Sequence, residues 1–139
     1  MEGLTTLLSN FGPKETMDRL ETEIRAQGIT VFARIDHAAG AAEARLTLRP
    51  TEVLIFGNPR AGTPLMQSIQ TIGIDLPLKV LVWQDVSAKT WLSYNERSWL
   101  AKRHGAGPET DKAVGAMSAM LGTIVKNAIE RTPYGRHSS

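Results

Sequence analysis

Two runs, Val53-Leu54-Ile55-Phe56 and Val80-Leu81-Val82-Trp83, are apolar without alternation. A strand facing water on one side alternates apolar with polar residues, so an unbroken run implies burial on both faces and a central place in a sheet. The runs are separated by Gly57-Asn58-Pro59-Arg60-Ala61-Gly62-Thr63-Pro64, a loop leading into a short helix at Leu65 to Ile72. Thr63 as N-cap and Pro64 as first helical residue suit that boundary.

The remaining pattern fills in around this pair. An apolar piece at Leu4 to Leu8 precedes a helix that starts at Gly12-Pro13, presents Met17, Leu20 and Ile24 on one face, and ends at Gly28. Ile29 to Ile35 alternates as a half-buried strand, with Ile29, Val31, Ala33 and Ile35 on one face. Asp36 to Gly40 turns into a second strand at Ala44 to Leu48, and a third follows at Glu52 to Phe56. Thr90 to Tyr94 returns from Val80-Trp83 as a hairpin, and Asn95 caps a short helix carrying Trp99 and Leu100 that Gly105 stops. The last helix, Glu109 to Glu130, repeats Val114, Met117, Leu121, Ile124 and Ala128 along one stripe. This order lacks strict strand-helix alternation and predicts an α+β fold with a largely antiparallel sheet. Residues 1–131 form a single domain, and 132–139 read as a flexible tail containing His137.

Composition narrows the function. The chain has 139 residues and no cysteine, so disulfides, thiol nucleophiles and thiolate zinc sites are excluded. Its net charge is only +2, with short basic clusters at Lys102-Arg103-His104 and from Arg131 to Arg136. That argues against a nucleic-acid partner, which calls for a cationic stripe. No apolar segment reaches a membrane span and no signal peptide is visible, so a cytoplasmic protein without membrane association is expected.

Several residues are candidates for chemistry. The Gly57 to Pro64 loop reads either as a capped turn or as a small-ligand or anion pocket with Asn58, Arg60 and Thr63 as contacts. It is not a P-loop, because Thr63-Pro64 replaces the required Lys and Ser or Thr. Asp36 and His37 could supply acid-base chemistry at a strand end, or form a simple Asx-type turn. His104 ends a short helix, where it can cap carbonyls or serve as a second catalytic group. No metal site is expected, since no histidine pair has helical ligand spacing, and no cofactor is implied. No serine lies in a nucleophile elbow. Trp83, Trp91 and Trp99 suit a core, with Tyr94 best placed at a pocket mouth.

Four strings then come together: Arg34-Ile35-Asp36-His37-Ala38-Ala39-Gly40-Ala41, Leu48 to Pro59, Gly62-Thr63-Pro64-Leu65-Met66, and Asp75-Leu76-Pro77-Leu78-Lys79-Val80-Leu81-Val82-Trp83. With Tyr94-Asn95 and Arg103-His104, their order and spacing resemble the bacterial family known as domain of unknown function 302, over roughly Leu4 to Gly105. The resemblance implies a compact α+β domain that self-associates, here a homodimer, and it implies no reaction, substrate or catalytic residue.

The expected function is therefore binding of a small molecule or anion in a polar pocket at strand ends, built from Asp36, His37, Asn58, Arg60, Thr63 and Tyr94. The alternatives are an enzyme with His37 as general base beside Asp36 or His104, and an interaction module whose last helix offers Met117 and Met120. The balance leans away from an enzyme.

Overall fold

The computed structural model describes residues 1–130. Five strands, β1 (Leu4–Leu8), β2 (Thr30–Asp36), β3 (Thr51–Gly57), β4 (Leu78–Gln84) and β5 (Thr90–Asn95), form one sheet in the order β1-β5-β4-β3-β2. Every neighbouring pair is antiparallel. The apolar runs do hold inner positions, β4 at the centre and β3 beside it.

The helices are α1 (Pro13–Ala26), α2 (His37–Glu43), α3 (Pro59–Ser68), α4 (Arg97–Arg103) and α5 (Asp111–Ile129), with short 3-10 turns at Gln70–Asp75 and Pro108–Thr110. α1 packs on α5 and on β2, β3 and β4, which places these helices on one face of the sheet. Their stripes close over Leu54, Phe56, Val80, Val82 and Leu92, and all these sheet residues are at most 1% exposed. Met17, Leu20 and Ile24 from α1 and Leu121 and Ile124 from α5 complete the core. Each such side chain contributes about 1.5–3 kcal/mol.

The other face departs from the sequence expectation of two buried faces. Val53, Ile55, Leu81 and Trp83 point away from the helices and are only half-buried. The alternation expected for β2 is also broken, because a bulge lets Val31 pair with Phe56 while Ala33 pairs with Ile55. Val31 thus joins the helix side, while Ala33 and Ile35 face the bare side.

The strand expected at Ala44 to Leu48 is absent. β2 and β3 pair directly, Asp36 opposite Glu52, so an intervening strand has no slot. α2 extends the chain instead, the Leu46 amide bonds Ala41 O at 2.8 Å, and Arg45 takes a positive φ of 62°. α3 begins at Pro59 with Asn58 as its cap, leaving Thr63 and Pro64 inside the helix, because the Asn58 side chain already satisfies the first free amide. Glu96 rather than Asn95 precedes α4 as its cap. Trp99 packs on Gly3, whose φ of 77° and 2.4 Å approach of the ring to a built Cβ leave no room for another residue. The 132–139 tail and His137 lie outside the described residues.

Candidate functional site

A hollow of about 370 Å³ lies where the ends of β3 and β4 meet α3 and α5. The chain builds it from three places. Ile29, Leu78 and Met117 are buried contributions from the core. Met66 of α3 and Met120 of α5 are half-buried and face the same space. Phe32, pushed out by the β2 bulge and 54% exposed, stands beside Pro77 at its border. Glycines make the close packing possible, since a Cβ at Gly73 would meet Met66 Sδ at 3.2 Å and one at Gly57 would meet Pro77 at 3.3 Å. The polar contributions are few: Gln27, Asn58 and Thr63. An apolar hollow with a small polar set suits an apolar or amphipathic molecule.

The expected anion loop is occupied by its own residues. Asn58 Oδ1 accepts from the Arg60 amide at 2.9 Å, and the Asn58 carbonyl accepts from Ala61 and Gly62 at 2.9 and 3.0 Å. The amides that could have cradled an anion are thereby taken by the cap. Arg60 is exposed and does not line the hollow.

The polar residues singled out from sequence do not share one pocket. Asp36 pairs with Glu52 at one end of β3, whereas Asn58 follows Gly57 at the other. At ~3.3 Å per residue those ends are roughly 20 Å apart. Asp36 is the N-cap of α2, accepting from the Ala39 amide at 2.9 Å, and the exposed His37 side chain makes no hydrogen bond among the described residues. Neither lines the hollow between α3, α5 and the ends of β3 and β4. Tyr94 lies opposite Val80 on the helix side of β5 and packs against the core. It also lines a second hollow, of about 280 Å³, with Leu4, Val53, Lys79 and Trp83.

His104 belongs to a polar cluster that sequence reasoning missed. Asp75 accepts from Arg103 Nη1 at both oxygens, each at 3.0 Å, and bonds His104 Nε2 at 2.5 Å. His104 Nδ1 pairs with Thr71 Oγ1 at 3.0 Å. Both ring nitrogens are engaged and the side chain is 9% exposed, so the imidazole ties α4 to the 3-10 turn and presents no nitrogen to a substrate. Arg97 is buried nearby, bonding Asn95 O through Nε and Nη2, while Nη1 has no partner among the described residues. Burial pulls its pKa down to about 10, opposed by the charges of Asp75 and Tyr94.

A second polar cluster clamps α1 to the sheet. Arg34 bonds Glu52 at 2.9 Å, Asp18 at 2.8 Å and Glu21 at 3.2 Å. The Lys14 and Arg34 bonds hold Asp18 below the usual carboxylate range, and Arg25, then Arg34, do the same for Glu21. Among the described residues no group of three His, Asp or Glu side chains could hold a metal ion. No helix there is long and apolar enough to cross a membrane.

The Met-lined hollow was also missed from the sequence, though Met117 and Met120, three apart on one helix, were a usable signal. α5 spends most of its stripe on the core, Met117 being 7% exposed, and Met117 and Met120 border the groove.

Comparison with known proteins places the fold and the chain. The family model described as domain of unknown function DUF302 matches residues 5–124. An uncharacterized conserved DUF302 protein from Bacillus stearothermophilus superposes with a TM-score of 0.81, covering 92% of this chain and 99% of its own at 19% identity. The fluoride-specific ion channels FluC 1 of Brucella suis and FluC 1 of Brucella abortus are each 48% identical over 126 residues, 91% of this chain. The chain spans about half of their length, 50% and 47% respectively.

Proposed function

We propose, on the premise that this chain belongs to the family described as domain of unknown function DUF302, that it binds a small apolar or amphipathic molecule in the groove between α3, α5 and the ends of β3 and β4. The observation that carries this reading is the groove itself: about 370 Å³ bordered by Met66, Met117, Met120, Leu76 and Phe32. Methionine is unbranched and polarizable, so such a wall adapts to ligands of differing shape. Asn58, Thr63 and Gln27 supply the polar end, which orients a head group while the tail takes the apolar side. The expected ligand therefore resembles a medium-chain carboxylate or a small aromatic with one polar group.

Ala116 is exposed on α5 and borders the groove, so Ala116→Trp fills it without touching the core. Decanoate is expected to bind the wild-type chain and to bind Ala116→Trp at least ~10-fold more weakly, at unchanged melting temperature. Equal binding by both proteins, or none by the wild type across medium-chain acids and small aromatics, contradicts the reading.

A second reading follows from the relatives. We propose that the chain works beside a fluoride channel, as a domain distinct from the membrane-crossing part. It is supported by 48% identity to half of each FluC relative together with the lack of a membrane-crossing helix among the described residues. Deleting the chain's gene is then expected to lower the fluoride concentration that cells tolerate. Unaltered tolerance sinks this second reading and leaves the groove untouched.

A further inference from the structure

The face of the sheet opposite α1 and α5 is built in three rows. Strand register places Leu8, Trp91, Trp83 and Thr51 in one row, and Thr6, Ser93, Leu81, Val53 and Ile35 in the next. The third holds Leu4, Asn95, Lys79, Ile55 and Ala33. Lys79 is the one charged side chain in these rows, and it stands in the row farthest from the tryptophans.

The tryptophan row is finished for contact. Trp83 and Trp91 stack with ring centroids 6.2 Å apart. Both indole N–H groups are already satisfied, Trp83 by Ser93 Oγ at 2.9 Å and Trp91 by Asp85 Oδ2 at 2.8 Å. The remaining ring surface is carbon, the kind of rigid apolar anchor that dominates interfaces. Leu8 and Ile35 on this face are 48% and 41% exposed, and Leu46, Leu48 and Val86, in the connections at its Thr51 and Trp83 end, are 67%, 47% and 81% exposed. Leu46 and Leu48 lie in the segment that returns to Pro50, whose carbonyl bonds the Gln84 amide beside Trp83.

We propose that this bare face is the contact surface for a second copy of the chain, packed sheet against sheet. The area suffices. Five strands about 4.8 Å apart, each presenting about five residues of ~3.3 Å, cover roughly 400 Å² in projection. Two faces together with the protruding Leu46, Leu48 and Val86 pass the total of about 1,000 Å² that a specific association needs. Charge selects the occupant. The strand rows carry only Lys79, and the connections at their end carry Asp85 beside Arg45, Arg49 and Lys89; charges of both signs give a partner of one sign little to read, whereas a twofold contact needs only a patch that matches itself. The sheet edges are poor alternatives, because β2 carries a bulge and β1 is only five residues long. The contact centres on the Thr51 and Trp83 end of the sheet, away from the groove at the Gly57 and Leu78 end, so it stands independently of the ligand reading.

Sedimentation equilibrium of the full chain tests it. A mass twice the 15.2 kDa of one chain is expected at micromolar concentration. The double variant Leu8→Lys, Ile35→Lys alters exposed positions only, so far-UV circular dichroism should not change. Its dissociation constant should rise at least ~100-fold, because like charges then meet in an apolar contact. Acrylamide should quench its tryptophan emission more strongly than that of the wild type. Ser118→Lys, on the solvent side of α5, should leave the mass unchanged. A wild-type chain that stays at one-copy mass overturns the proposal, including one that binds lipid vesicles instead. So does a double variant that remains dimeric.

Discussion

The two faces of the one sheet received nearly equal apolar content and ended in different states. On the helix side Leu54, Phe56, Val80 and Val82 are sealed beneath α1 and α5, at no more than 1% exposure. One residue along on the same strands, Val53, Ile55, Leu81 and Trp83 are half-buried and point away from α1 and α5. The difference teaches that an unbroken apolar strand reports a demand for cover on both faces, and that one chain need not meet both demands itself.

The comparison can be broken most forcefully by truncating each face in turn. Phe56→Ala should cost about 3–5 kcal/mol in urea unfolding, the usual penalty of a large core cavity. Ile55→Ala, adjacent in sequence, should cost less than about half of that in dilute solution. A penalty for Ile55→Ala that grows with protein concentration would sharpen the comparison, since it would locate the missing cover in a second copy. Equal penalties at every concentration would break it.

A smaller effect is expected at the border of the covered face. Asp75→Asn removes the carboxylate that holds Arg103 and His104 and faces the buried Arg97, so a loss of about 2–4 kcal/mol is expected. Arg97→Met should be far milder, because it removes the buried charge together with its cost. A loss below about 1 kcal/mol for Asp75→Asn would show the cluster to be peripheral.

Acid should loosen the same covered face through the Arg34 clamp. The folded pKa values of Asp18 and Glu21 lie below their ordinary values of 3.8 and 4.5. Their contribution is therefore present above those values and is lost as pH falls through the depressed ones. Both carboxylates are solvent-accessible, so the loss should be modest, and Arg34→Gln should flatten the acid limb of the melting profile. An identical acid limb in the variant would remove the clamp from the account.

The least effect concerns the groove. Gly62 lies inside α3, where a Cβ would meet Leu76 at an ordinary 3.6 Å. Gly62→Ala should stabilise by about 0.5–1 kcal/mol through helix propensity, while narrowing the space beside Leu76. Destabilisation would mean that α3 is more crowded there than this spacing indicates.

Much of the fold was legible because its signals are local. Pro13 and Gly28 bracket α1, and the apolar runs marked the inner strands. The α+β class followed from element order alone. Ala44 to Leu48 misled because a short apolar alternation was read without knowing that β2 and β3 already pair with each other. The bulge at Phe32 was invisible for the same reason, since register is a relation between strands. The site was less legible than the fold. Asn58 and Thr63 do border the groove, but Asp36 and His37 stand a strand length away and Tyr94 borders a different hollow. Polarity at a strand end does not say at which end of the sheet that strand end falls, and an apolar groove is assembled from residues that in sequence look like core.

Three of the five methionines, Met66, Met117 and Met120, border the groove, while Met17 is sealed in the core and Met1 is exposed. Carbon-13 labelling of the methionine methyl groups therefore gives a direct reading of where a ligand sits. Titration with decanoate is predicted to move the resonances of Met66, Met117 and Met120 along saturable curves sharing one dissociation constant, with Met1 and Met17 unmoved. Shifts absent from those three, or spread evenly over all five, would contradict a ligand site in the groove.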